Sequence, residues 1–146
     1  MLKKIKIYIE SHIDNLDEYG KIDGESEINK SSYTGTLRSA GSEISLAYKE
    51  IDENGTVNCS ITLSDATVTV RRNGVVVSTM VFDENEIYKT LYTVPPYQFD
   101  VEIKTKKIES SLTERGGTLL IVYDMNIGGA EKSAQMKITA SEDEKL

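Results

Sequence analysis

Apolar and polar residues alternate along nearly the whole chain. Ile5, Ile7 and Ile9 interleave with Lys4, Lys6, Tyr8 and Glu10. A period of two marks a half-buried strand, because successive side chains of an extended backbone point to opposite faces. The pattern predicts a first strand from about Lys3 to Ile13. After a polar, turn-rich stretch, a weaker second strand is expected over about Glu25 to Leu37. The Ser39-Ala40-Gly41-Ser42 turn leads into a third, near Glu43 to Ile51, with Ile44, Leu46 and Tyr48 on one face. Asp52-Glu53-Asn54-Gly55 reads as a tight hairpin, since Asn and Gly tolerate the positive φ it requires. A fourth strand, about Thr56 to Leu63, places Val57, Cys59, Ile61 and Leu63 together, and a fifth follows over Thr67 to Arg72.

Asn73-Gly74 is the clearest hairpin signal, flanked by valine-rich segments, and predicts a sixth strand over Val75 to Phe82. A seventh is expected at Ile87 to Val94, ended by Pro95-Pro96. In the eighth, Tyr97, Phe99, Val101 and Ile103 oppose Gln98, Asp100, Glu102 and Lys104, and the strand runs on to about Ile108. Gly116-Gly117 and Gly128-Gly129 bracket a ninth strand at about Thr118 to Ile127, and a tenth covers about Glu131 to Ala140. The charged tail Glu142-Asp143-Glu144-Lys145 is expected to fray. No segment carries a convincing helical period. About ten strands joined by short turns favour an up-and-down antiparallel meander in one domain over the whole chain. Closing such a sheet removes its exposed edges, so the expected fold is all-β, a closed barrel of eight to ten strands, with a two-sheet sandwich as the alternative.

Composition narrows the function classes. Seventeen basic against 24 acidic side chains give a formal charge of −7. That balance disfavours phosphate backbones and anionic lipid, so neither nucleic acid nor a membrane is an expected partner. Cys59 is the single cysteine, which precludes an internal disulfide and suits a reducing compartment. The start of the chain lacks the continuous apolar run of a secretory signal, and no stretch approaches the roughly 20 apolar residues of a membrane helix. The expected location is the cytoplasm.

Three segments of the second half carry a family resemblance. They are Val68-Thr69-Val70-Arg71-Arg72-Asn73-Gly74, Thr105-Lys106-Lys107-Ile108-Glu109-Ser110-Ser111-Leu112, and Gly117 to Ile127 with its Ile121-Val122-Tyr123-Asp124-Met125-Asn126 core. Together they resemble the DUF1934, or YwiB-like, family of bacterial proteins, found mainly in Firmicutes. The resemblance covers about Thr56 to Ala140, with a looser match at Gly35 and Ile44-Ser45-Leu46-Ala47-Tyr48. It implies a calycin-type β-barrel, related in shape to lipocalins and fatty-acid-binding proteins. It implies no chemistry, because the family brings no assigned catalytic or binding residues.

The residues themselves offer little for catalysis. His12 is the only histidine and stands among polar residues, so a nucleophile, base and orienting group cannot be assembled from the pattern. Cys59 shares a face with Val57, Ile61 and Leu63 and reads as a small buried apolar residue. One His and one Cys are too few for a zinc or iron site. The acidic turns at Asp14-Asn15-Leu16-Asp17-Glu18 and Asp83-Glu84-Asn85-Glu86 lack a calcium-loop pattern. Neither glycine pair is followed by a phosphate-loop Lys-Ser/Thr. No enzyme activity and no cofactor are expected.

The barrel interior remains. Parity turns Arg72 to the face of Val68 and Val70. It sets Thr105 inward after Ile103, Tyr123 among Leu119, Ile121, Met125 and Ile127, and Tyr97 with Phe99. An inward arginine beside tyrosine hydroxyls would suit a carboxylate or phosphate group. Equally, Arg72 could reach water past the adjacent Asn73-Gly74 turn, and Tyr123 could be an ordinary core aromatic. Two functions are therefore expected. The first is a carrier holding a small, partly apolar molecule in the lumen, which a lumen packed by Tyr97, Phe99, Tyr123 and Met125 would contradict. The alternative is an interaction module with a filled barrel, such as a homodimer, hiding the second apolar face of Val75 to Phe82.

Overall fold

The computed structural model describes residues 2–142. Ten strands follow in order: β1 (Leu2–Asn15), β2 (Glu27–Ala40), β3 (Glu43–Asp52), β4 (Gly55–Ser64), β5 (Thr67–Gly74), β6 (Val77–Phe82), β7 (Ile87–Val94), β8 (Tyr97–Ser110), β9 (Gly117–Ile127) and β10 (Ala130–Glu142). Each pairs antiparallel with its sequence neighbours, and β1 pairs β10, from Ile5↔Glu142 to Asn15↔Lys132, so the sheet closes into a barrel. No helix is present among the described residues, and so none is long and apolar enough to cross a membrane. Glu142 belongs to β10 and meets Lys3 at 2.9 Å, while the remainder of the acidic tail lies outside the described residues.

Alternation explains the core. Ile5 and Ile7 of β1, Leu46 of β3, Ile61 of β4, Val68 of β5, Ile103 of β8, Leu119 and Ile121 of β9 and Ile138 of β10 are all buried in one cluster. A bulge in β8 extends this logic. Lys106 is skipped in the ladder to β9, so Thr105 opposes Tyr123 and Lys107 opposes Val122. The extra residue shifts the parity by one and turns Ile108 back toward the core.

The hairpin between β5 and β6 departs from expectation. Asn73 and Gly74 do not form the turn. They remain in β5, opposite Asn58 and Val57, and the chain reverses at Val75-Val76. Gly74 makes this extension feasible. Its φ is +156°, and a Cβ there would stand 2.1 Å from the Thr56 carbonyl oxygen. The strand therefore reaches two residues further than the Asn-Gly signal suggests, roughly 7 Å. Arg72 is correspondingly set back from the rim. β6 in turn begins at Val77 rather than Val75.

The wall is uneven. β6 pairs β7 only at Val77↔Thr93 and Ser78↔Tyr92. β2 pairs β3 only from Thr36↔Ala47 to Ala40↔Glu43. Beyond that point the two strands diverge, next to Gly35, where a Cβ would lie 2.2 Å from the Ala47 carbonyl oxygen.

Candidate functional site

One end of the barrel carries the β3–β4, β5–β6 and β7–β8 hairpins. Below them, register places five inward residues side by side on five consecutive strands. Tyr48 of β3 opposes Cys59 of β4, Cys59 opposes Arg72 of β5, Arg72 opposes Ser78 of β6, and Ser78 opposes Tyr92 of β7. This polar belt interrupts a largely apolar interior, and Glu50 of β3 joins it from two residues nearer the mouth. The Arg72 Nη2 meets Glu50 Oε2 at 2.9 Å, with about a quarter of each side chain still open to water (26% and 29%). The Cys59 thiol donates to Glu50 Oε1 at 3.1 Å. Arg72 Nη1 lies 3.5 Å from the Tyr92 hydroxyl, a marginal contact.

The belt is not fully satisfied. Arg72 Nε and Ser78 Oγ are both buried without a partner, and Ser78 is only 3% exposed. An unpartnered buried polar atom costs roughly 1–3 kcal/mol.

Above the belt opens a cavity of about 460 Å³, lined by Glu50, Asp52, Arg72 and an apolar wall of Val57, Val75, Val76, Val94 and Pro95. A second cleft of about 520 Å³, where β2 leaves β3, reaches Tyr48 and Cys59 from the side. Other concavities, such as that between Tyr8, Glu10, Lys30 and Lys137, lie on the outer wall among long side chains.

Electrostatics follow burial. Burial would lower the Arg72 pKa, but the Glu50 carboxylate beside it reverses the sign and keeps the guanidinium firmly charged. Burial, reinforced by its bond to Glu50, pushes the Cys59 thiol up to about 11. Burial likewise raises Tyr48, and raises Tyr123 to about 12. The site therefore holds neutral thiol and phenol groups around one ion pair, with no nucleophile activated at neutral pH. Alkylation of Cys59 by iodoacetamide should be negligible in the folded protein at pH 8 while the urea-unfolded chain reacts readily. The folded thiol keeps a proton that an unfolded thiol releases near pH 9, so stability is unaffected by this group below pH 9 and falls as pH rises toward 11. Urea midpoints measured from pH 8 to 11 check the sign.

The four interior residues expected from parity separate. Arg72 stands in the belt. Thr105, 5% exposed and with its hydroxyl unpartnered, is the register partner of Tyr123. Tyr123 packs edge-on against Phe82, with ring centroids 4.8 Å apart. Phe82 is four residues further down β6 than Ser78, roughly 13 Å, so this pair lies deep in the filled part of the barrel with Met125. Tyr97 is not interior. It starts β8 at the mouth end and is 65% exposed, because the wall ends before its ring can be covered. Glu50, Ser78 and Tyr92 were missed. The parity of Leu46 and Tyr48 already carried Glu50 inward, and that of Met80 and Phe82 carried Ser78.

Comparison with known proteins agrees with this architecture. Residues 13–139 match the family described as "Domain of unknown function (DUF1934)". The chain belongs to the DUF1934 family. A relative, the "Uncharacterized beta-barrel protein YwiB" of Bacillus subtilis (strain 168), is 27% identical over 110 residues, covering 75% of this chain and 78% of that protein. The crystal structure of the ywiB protein from Bacillus subtilis superposes with a TM-score of 0.84 at 25% identity, over 98% of this chain and 94% of that one. In this DUF1934 member the fold is the closed β-barrel described above.

Proposed function

We propose that this barrel is a non-catalytic binding protein that receives one small, partly apolar molecule at its mouth, over the Arg72–Glu50 pair. The observation that carries this reading is the cavity itself. It falls within the usual range of roughly 300–1,000 Å³ for ligand pockets, is walled largely by apolar side chains, and has a few convergent polar groups at its floor. Glu50, Asp52 and Asn54 supply polar side chains to that lining beside Arg72. The deep lumen, filled by Phe82, Tyr123 and Met125, is the foundation rather than the pocket. A calycin-type kinship and a cytoplasmic setting belong to the same reading. Outward Lys4, Lys6 and Glu10 on β1 suit a wall facing water rather than lipid.

A second reading, self-association, is favoured by the outer faces of β6 and β7. Val77, Ile87 and Leu91 are exposed there beside the short β6–β7 ladder. Native mass spectrometry of gently purified protein separates the two. Extra non-covalent mass on each chain, lost on denaturation, is the expected result. A bare chain mass found as a dimer would replace the binding reading with self-association.

A further inference from the structure

We infer that the molecule received at the mouth is a cation, an amine bearing a short apolar tail. This rests on the mouth-binding reading and sharpens it to a chemical class. An inward arginine would ordinarily suggest an anionic ligand. Here the Arg72 and Glu50 charges match one another at 2.9 Å, so an incoming carboxylate would gain little from the guanidinium and would stand against the remaining charge of the lining, Asp52.

The framing hairpins reinforce this. Residues 50–57, 72–77 and 92–99 hold Glu50, Asp52 and Glu53 and, as their one basic side chain, Arg72. The bias extends over the whole end of the barrel. With the neighbouring segments 14–27 and 127–132, this end holds ten of the 24 carboxylates but only three of the 17 basic side chains. The other described residues hold 12 acidic and 13 basic side chains, so the excess of negative charge among the described residues lies at this end. A low-dielectric cleft ringed by one sign of charge focuses the field and draws in the opposite charge. With Glu50 held by Arg72, the ammonium would rest against Asp52. The tail would lie on Val57, Val75, Val76, Val94 and Pro95, which give it an apolar bed without any positive charge.

The test titrates the ¹⁵N-labelled full chain with octylamine, octanoate and octanol at pH 7, following backbone amides by NMR. Octylamine should shift Val57, Arg72, Val75 and Val76 saturably, with octanoate at least about ten-fold weaker and octanol between them. Asp52→Asn, at an exposed position, should weaken octylamine by roughly two- to five-fold while leaving the rest of the spectrum in place. Octanoate binding at the same amides as tightly as octylamine would overturn the cationic class and leave the mouth reading standing. Shifts confined to the outer wall, or none with any of the three compounds, would overturn both.

Discussion

Replacing Phe82 with alanine should lower the unfolding free energy by about 3–5 kcal/mol, the largest loss expected from any single truncation in this barrel. Phe82 is completely buried and is the largest of the fully buried side chains. Its ring meets Tyr123 of β9 edge-on, which ties β6 to the far wall of the lumen. That tie matters because β6 has only two ladder pairs with β7. Side-chain packing at Phe82 therefore holds in place a strand that the backbone secures on one side only. The ring also anchors the end of β6 below Ser78, so its loss loosens the floor of the mouth. Urea titration should show a lower midpoint with an unchanged slope, as expected for a cavity that leaves the two-state transition intact. Phe82→Leu, which keeps most of the volume, should cost less than half as much. Equal losses for the two variants would mean that the site collapses freely and that the ring is not the tie described.

The second large effect is expected at the belt. Arg72→Met should destabilise by about 1–3 kcal/mol, less than the ~3–5 kcal/mol of a fully buried pair, because a quarter of each partner meets water. Most of the loss comes from what is left behind. Glu50 would keep its charge beside Val57 with only the Cys59 thiol as a donor. The double variant Arg72→Met/Glu50→Gln should recover most of the stability, since an apolar or neutral pair of similar volume carries no stranded charge. Glu50→Gln alone should be the milder single change, because a guanidinium can still turn toward the Tyr92 hydroxyl and the solvent of the mouth. A double-mutant cycle in chemical denaturation measures the coupling directly. A coupling indistinguishable from zero would mark the pair as an exposed contact that contributes little to the floor.

The strands were legible because alternation is a local property. The Ile5-Ile7-Ile9 and Tyr97-to-Ile103 patterns need only the pleat to be read, and every expected strand is found within a few residues of its place. Closure followed from counting strands and from the cost of open edges. The misplaced β5–β6 turn has a different cause. Asn73-Gly74 satisfies the backbone demands of a two-residue hairpin, but Gly74 is used for its lack of a Cβ against Thr56, a contact with another strand that no local signal reveals. The candidate site was legible only by parity. Parity shows which way a side chain points but not how high it sits or what stands beside it. Arg72 and Tyr123 thus read as companions, although register separates them and gives Arg72 its true neighbours, Ser78 and Tyr92. The Glu50 partnership joins two strands that do not adjoin, so sequence spacing holds no trace of it.

The ladder between β1 and β10 sets the order in which a newly made chain can become this protein. Eleven register pairs join the strand of the barrel that is translated first to the strand that is translated last. Hairpins from β1 through β9 can form as they emerge, but until β10 arrives the sheet has two free edges, and β1 waits through the translation of the other nine strands without its second partner. The cell thus handles, for the time it takes to translate some 130 residues, an open sheet whose apolar face has nothing to close upon. Contacts this distant in sequence also make for slow closure. Lys4, Lys6 and Glu10, set along the outer face of the waiting strand, are then guards of the unfinished molecule as much as ornaments of the finished one.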